Sequence, residues 1–590
     1  MLDQAQMKAV MASLGPTLVV ASPGSGKTTV IVERIKYLIK DCNINPQQIL
    51  VITFTRDAAI QMKHRFEAGE DMISSPVFGT FHSIFFHILS IEYGYTFENI
   101  LEGQNKANLI KKAFYMTDKT GDFFPEFYKI FEEKMLVYRL SGDEAKGRGK
   151  LNSIISKYES LKRERNLIDF GDMIILALNM FRENPRILKK WQERFKCILI
   201  DEAQDMNTIQ FELVKLLSES SQNVFAVGDE DQSIYGFRGS DPQIMMRFVD
   251  EFEGARVFKL ETNYRSTKTI VESANNLIRN NNYRFDKNMK SFSNRDSIVQ
   301  ILSFKNSIEE ADFVCEKILK LIDKGYKPKD IAVLYRNNNR VGLLASKLEA
   351  LKIPFDIRRE KQKQDVILRC IRMAFNISRQ TYDRGDIFLA LNILKKEHYR
   401  YLFRDEKVDF ERILRGHLIP EEREVITVLK NYVGLMGRLE PYALMVFLLR
   451  SFGLEEFVRE YCSRSGADSE SMLERFFSLL ELAKEYKFVS DFERAVDSVY
   501  SVEHQDRGGV NLKTFHSAKG LEFKVVYIID ALEGVTPSNK ALAQGALEEE
   551  RRMFYVALTR AKRECYICFP NQIGEKCYKK SRFIDELKIL

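Results

Sequence analysis

The sequence predicts an α/β fold, and three segments carry that expectation. An apolar run, Thr17 to Val20, leads into ASPGSGKTT (21–29) and then into VIVERIKYLI, which has helical periodicity. A second apolar run, Cys197 to Ile200, ends directly in Asp201 and Glu202. A third, Val224 to Val227, opens into the polar turn GDEDQSIYGFRG (228–239). Each reads as a buried strand that stops at a polar turn, and parallel sheets place their ligands at such strand ends.

The first turn has the order that a phosphate-binding loop needs: strand, glycine-rich turn, Lys, helix. Gly24 and Gly26 free the backbone to wrap, exposed amides and the helix N-terminus face an anion with Ser22 and Ser25 in the same loop, and Lys27 adds charge. Thr28 is placed to hold a magnesium ion, with Thr29 beside it. Ala21 stands where the G-x-x-x-x-G-K-[ST] pattern begins with Gly, a change that removes no ligand. A magnesium-bound nucleotide needs a second acidic anchor, and Asp201 fits that role while Glu202 suits a general base for the attacking water. Gln232, on the third turn, is placed to sense a terminal phosphate. Tyr235 and Phe237 taken singly read as core aromatics, although exposed rings there would stack on bases.

Composition sets the outer limits. The 590 residues suit roughly four domain-sized units, and 45% hydrophobic with 29% charged residues excludes disorder and fibrous repeats. Ninety Lys and Arg against 83 Asp and Glu give a net charge of +7, which permits a polyanionic partner. No apolar run approaches the ~20 residues of a membrane span, and the opening MLDQAQMKAV lacks a signal-peptide pattern, so a cytoplasmic location is expected. Eight irregularly placed Cys form no disulfide framework; Cys565 and Cys568 lie in a strand-like run and make a poor metal pair.

Further segments, TFTRDAA (53–59), GTFHS (79–83), DFGDM (169–173), LETNYRS (260–266), TFHSAKGLEF (514–523) and EEERRMFYVALTRA (548–561), stand in order with the loops above. Together they resemble the motif set of the UvrD/Rep/PcrA helicases of superfamily 1. That resemblance implies two RecA-like P-loop NTPase domains, 1A and 2A, clamping ATP between them, each with a mainly helical inserted domain. The expected bounds are 1–83 and 165–256 for 1A, 84–164 for 1B, 257–365 and 506–590 for 2A, and 366–505 for 2B. It implies Gln6 at the adenine, Arg34 and Tyr264 flanking or stacking on it, and Glu522 at the nucleotide. Arg265 and Arg560 match the two arginines that reach the γ-phosphate, on domain closure. Phe54, His82, Tyr235, Phe237 and His516 match strand-contacting positions, with Phe237 standing where the family mostly has Trp.

The implied activity is ATP- and Mg2+-dependent 3′ to 5′ movement on single-stranded DNA with unwinding at single-strand/duplex junctions, in repair, replication or recombination alongside other proteins of those processes. A translocase that displaces proteins with little unwinding is the alternative, because 2B looks short and RREKQKQDV from Arg358 replaces the expected entry motif. A nuclease-linked subunit and an RNA helicase rank below both. In 1B, residues 139–165 hold eight Lys or Arg against four acids, and a basic face including Lys146, Arg148 and Lys150 is expected to meet phosphates. In 2B, Ser471 to Glu474 reads as a capping box before a helix.

Overall fold

The computed structural model describes residues 2–68, 74–118, 127–141, 149–293, 295, 298–338, 341–357, 366–465, 469–501, 508–573 and 576–589. The chain divides into two compact units: Met1–Ile298 with Lys540–Arg563 and Glu586–Leu590, and Val299–Asn539 with Glu564–Asp585.

In the first unit the described residues form a six-stranded sheet. Its strands are β1 (Thr17–Ala21), β2 (Ile49–Thr53), β3 (Val77–Thr80), β4 (Cys197–Ile200), β5 (Val224–Gly228) and β6 (Arg256–Leu260), in the order β3-β2-β4-β5-β1-β6. Every pairing is parallel. The period of two decides which face each residue serves. Leu18, Val20, Leu50, Ile52, Ile198 and Ile200 join one core with helices Phe81–Tyr93, Phe170–Glu183 and Thr208–Ser218. Val19, Ala21, Val51, Leu199 and Val227 join the other, with helices Lys27–Lys40 and Arg56–Glu67. Both faces are covered, which explains why these strands read as unbroken apolar runs.

The sheet reaches past the expected boundary at 256, because β6 pairs with β1. β7 (Thr262–Thr267) and β8 (Lys290–Ser293) follow as a parallel pair in the same unit. Helix Phe81–Tyr93 crosses the expected boundary at 83. The first insertion, on helices Gly103–Thr117, Phe127–Ser141 and Lys150–Glu164, has its own core around Phe114, Phe131, Ile155 and Tyr158. Lys146 and Arg148 lie outside the described residues.

The second unit carries β9 (Ile298–Asn306), β10 (Ile331–Tyr335), β11 (Phe355–Ile357), β12 (Val510–Thr514), β13 (Phe523–Ile528), β14 (Ala561–Ile573) and β15 (Lys576–Cys577). Its described order is β11-β12-β10-β13-β14-β15, with β9 against β14. Between Val366 and Ser501 the described residues are mainly helical, and the apolar contacts of those helices run without a break into the sheet. Helix Ser469–Ala483 begins two residues before Ser471, so that residue sits inside the first turn and not at a cap. Residues 358–365 lie outside the described set. Cys565 and Cys568 are buried in β14, and burial pushes both thiols up. Among the described residues no helix is long and apolar enough to cross a membrane.

Candidate nucleotide and strand-binding site

The carboxyl ends of β4, β5 and β1 lie side by side in the first sheet, which brings the three turns singled out in the sequence together. Residues 21–26 wrap with left-handed backbone at Gly24 (φ 67°) and Gly26 (φ 84°), and helix Lys27–Lys40 starts on Gly26. Both glycines are also required by space: a Cβ at Gly24 would lie 2.7 Å from Cβ of Arg265, and one at Gly26 2.8 Å from Nε2 of Gln6. Ser22 N donates to Leu260 O at 2.9 Å and Ser25 Oγ donates to Ser22 O at 2.7 Å. The buried Ser22 Oγ has no hydrogen-bond partner among the described residues.

β7 is stitched onto this loop. Asn263 Nδ2 donates to Pro23 O at 2.8 Å and Tyr264 N donates to Gly24 O at 2.9 Å. Arg265 is thereby held beside Gly24, and its Nη1 reaches Thr559 O at 3.4 Å. Tyr264 is exposed, hydrogen-bonds Asp3 Oδ2 through its hydroxyl at 2.5 Å, and stands 5.0 Å from the ring of Phe292. Gln6 closes the other side, its Nε2 donating to Ser25 O at 2.9 Å from a capping box with Asp3.

Arg34 differs from the expectation in part. It is 3% exposed, donates through Nη1 to the carbonyls of Val10 and Ala12, and lies over the rings of Tyr37 and Phe225. It flanks the Gln6 helix as a brace, and a guanidinium packed between two rings and two carbonyls has no face left for a base.

At the acidic turn, Glu202 adopts φ 51° and its N–H donates to Asp201 Oδ1 at 3.0 Å. Lys27 Nζ lies 3.4 Å from Glu202 Oε2, which also accepts from Gln204 Nε2 at 2.5 Å. Burial, and then the charge of Glu202, push Asp201 up to about 7 against the pull of Lys27. A divalent cation against Asp201 would reverse that push. The donor set therefore suits a magnesium nucleotide: a hard carboxylate and the hydroxyl of Thr28 for the metal, and amides, Ser22 Oγ and Lys27 for phosphates.

The third turn joins this cluster. Gln232, 4% exposed, donates to Asp229 Oδ2 and accepts from Arg560 Nη2 at 3.1 Å. Arg560 is fully buried at the end of helix Leu547–Leu558, and burial together with Arg265 pushes it down to about 9. Arriving polyphosphate would relieve both terms. Arg265 and Arg560 were expected from a separate domain that closes on the nucleotide. Instead both belong to the same compact unit as the Lys27 loop, because helix Leu547–Leu558 packs on helix Lys268–Ile278 and on the 230–232 turn.

Sequence reasoning missed the buried web behind Gln232. Lys287 Nζ bonds Asp229 Oδ1, lies 2.9 Å from Glu230 Oε2 and 3.2 Å from Asp231 Oδ2, and Arg284 pairs with Asp231 at 2.9 Å. Burial works against the Lys287 charge, but the three carboxylates overcome it and hold its proton well above the ordinary range. The three acids of GDEDQ were the only local signal; Arg284 and Lys287 gave none.

Beyond Ser233 the same turn reaches a groove of about 1210 Å³. Phe54, His82, Phe170 and Phe237 line it, with Tyr128, Glu132 and Arg139 from the first insertion. Phe54 and Tyr235 stack at 5.0 Å and 16°, and Phe237 is 58% exposed. His82 meets Phe170 edge-on at 5.9 Å, and burial pushes its pKa down, so it enters the groove as a neutral ring. His516, half-buried on helix Phe515–Ala518, and exposed Glu522 belong to the second unit.

Fold and loop together define a P-loop nucleotide hydrolase with two α/β units. The model of the UvrD/REP helicase N-terminal domain matches residues 2–253, and that of the UvrD-like helicase C-terminal domain matches 258–363 and 456–572. A putative ATP-dependent DNA helicase, YjcD, of Bacillus subtilis is 32% identical over 99% of this chain and 80% of its own. DNA helicase II of Haemophilus influenzae is 31% identical over 99% and 87%, and the ATP-dependent DNA helicase PcrA of Staphylococcus aureus 29% over 95% and 82%. The chain belongs to the UvrD/REP helicase family, and with it to the ATP-dependent DNA helicases.

Proposed function

We propose that the chain is a motor that travels 3′ to 5′ on single-stranded DNA, spends ATP with Mg2+, and unwinds duplex at a single-strand junction in the cytoplasm, in repair, replication or recombination. One observation supports this most: hydrogen bonds lead from Lys27 through Glu202, Gln204 and Asp229 to Gln232, where Arg560 joins, and the same short turn carries the chain from Gln232 to the rings of Tyr235 and Phe237. Turnover at one end of such a path changes ring positions at the other.

Magnesium ATP supplies the scissile phosphoanhydride when bound. Lys27 and the backbone amides at the start of helix Lys27–Lys40 would bind its phosphates, Thr28 and Asp201 would hold the metal, and Gln6 and Tyr264 would meet the base. Glu202, released from Lys27, accepts the proton of the attacking water, and Arg265 and Arg560 offset the charge that develops. Glu522 is a further proposed nucleotide contact. Phe54, Tyr235, Phe237, His82 and His516 grip the strand by faces that every base shares, so the grip is independent of sequence.

Unwinding of a duplex with a 3′ tail but not a 5′ tail, in the presence of ATP, is the expected result. Equal unwinding of both, or of the 5′ form alone, removes the direction. Strong DNA-stimulated hydrolysis without unwinding leaves a translocase. Arg560→Ala should lower kcat by about 10³ to 10⁵, the range for loss of an arginine finger.

A further inference from the structure

Helix Leu547–Leu558 touches the 229–239 turn at two points. Just past its C-terminal end, Arg560 bonds Gln232, on the nucleotide side. In its first turn, Glu549 Oε1 accepts the N–H of Gly236 at 3.0 Å, on the groove side. Gly236 lies between the rings Tyr235 and Phe237 and opens the short helical turn Gly236–Arg238, whose first N–H has no partner inside the turn. A Cβ at position 236 would sit 2.9 Å from both carboxylate oxygens of Glu549, so glycine is what allows the approach.

A carboxylate at this place opposes the function of the groove. Phosphates drawn in by the strand would be repelled by Glu549, so affinity alone favours any neutral residue there. Its contribution must lie in ordering the turn. We infer that Glu549 is a positioning residue that fixes the Tyr235 and Phe237 rings through the Gly236 amide, so that helix Leu547–Leu558 transmits the state of the nucleotide at Arg560 to the strand. Asp229 and the Lys287 web hold the nucleotide end of the turn, and Glu549 holds the strand end. This rests on the motor reading above and assigns a coupling element to it.

The test is ATPase activity titrated with oligo(dT), alongside the DNA-free rate and oligo(dT) affinity, for the wild-type chain, Glu549→Ala, Glu549→Gln and Gly236→Ala. Loss of a hydrogen bond to a charged acceptor should reduce DNA-stimulated kcat by roughly tenfold or more in Glu549→Ala, well beyond any change in the DNA-free rate. Glu549→Gln keeps an acceptor at the same reach and should remain within about threefold of wild type. Gly236→Ala should reproduce the alanine defect, and the double variant should be no worse than either single one. A Glu549→Ala protein with tighter DNA binding and unchanged stimulated kcat overturns the inference, as does a Gln variant as defective as Ala. Absence of DNA stimulation in the wild-type chain overturns the motor reading and this inference with it.

Discussion

The helical insertion on residues 103–164 keeps an apolar core of its own, with Phe114, Phe127, Phe131 and Tyr158 in successive ring contact, whereas the helices that begin at Val366 share one uninterrupted core with the second sheet. The first is joined to the sheet layers by charge. Asp169, fully buried at the N-cap of helix Phe170–Glu183, accepts Arg139 Nη2 at 2.7 Å and Tyr158 Oη at 3.0 Å, with Lys106 and Lys162 within 4 Å. Asp172 takes Lys162 at 2.6 Å. The joint also lines the groove, through Arg139 and Gly171. An ionic joint can be specific without a large contact area, because charged donors and acceptors must meet at fixed distances and angles. An apolar join tolerates exchange of similar side chains but spreads any damage across the whole unit.

Four measurements sharpen or break this contrast. Phe375, fully buried among the second set of helices and edge-on to Phe492 at 5.4 Å, should cost about 3 to 5 kcal/mol on truncation to Ala. Urea unfolding followed from the second sheet should shift with it. An unshifted sheet transition would mean that the core is not continuous. Arg139→Ala leaves a buried carboxylate with one donor fewer and should destabilise the first insertion by about 3 kcal/mol. Hydrogen exchange should then rise across 103–164 but not across 366–501, and uniform exchange would defeat the comparison.

Acid separates the two joins more gently. Burial alone would raise the Asp169 carboxyl, but Arg139, Lys162 and Lys106 outweigh it and hold the group below the usual carboxylate range. A depressed folded value means stability that is present above the unfolded pKa of about 3.9 and is lost as pH falls below it. The first insertion should therefore loosen below about pH 4, and Asp169→Asn should flatten that dependence. An unaltered acid profile in the Asn protein would assign the loss elsewhere. The smallest effect is expected at Lys150, 64% exposed and paired with Asp118: its removal should cost under about 1 kcal/mol and change the salt slope of DNA affinity by at most about one.

Much of the nucleotide site was readable in the chain because its parts are local. A strand, two glycines at positive φ and a lysine at a helix start occupy the eleven consecutive residues 17–27, and Asp201 and Glu202 follow their strand directly. Arg34 was half legible: the resemblance implied a place flanking the adenine with Gln6, but its burial between Tyr37 and Phe225 depends on packing across the sheet. The 256 boundary misled for a similar reason, since β6 looks like the start of something new and becomes an edge strand of the old sheet.

By itself the sequence determined the α/β character, the phosphate loop, the acidic pair and the single motifs, each of which depends on a pattern of about ten residues, and it gave the order of those motifs directly. Only the tertiary structure decided that Arg265 and Arg560 share a unit with Lys27, that Lys287 pairs with three buried acids, and that Glu549 reaches Gly236. Those pairings join residues 56 to 533 positions apart in the chain. No local preference encodes such distances; they follow from which faces must be buried against which.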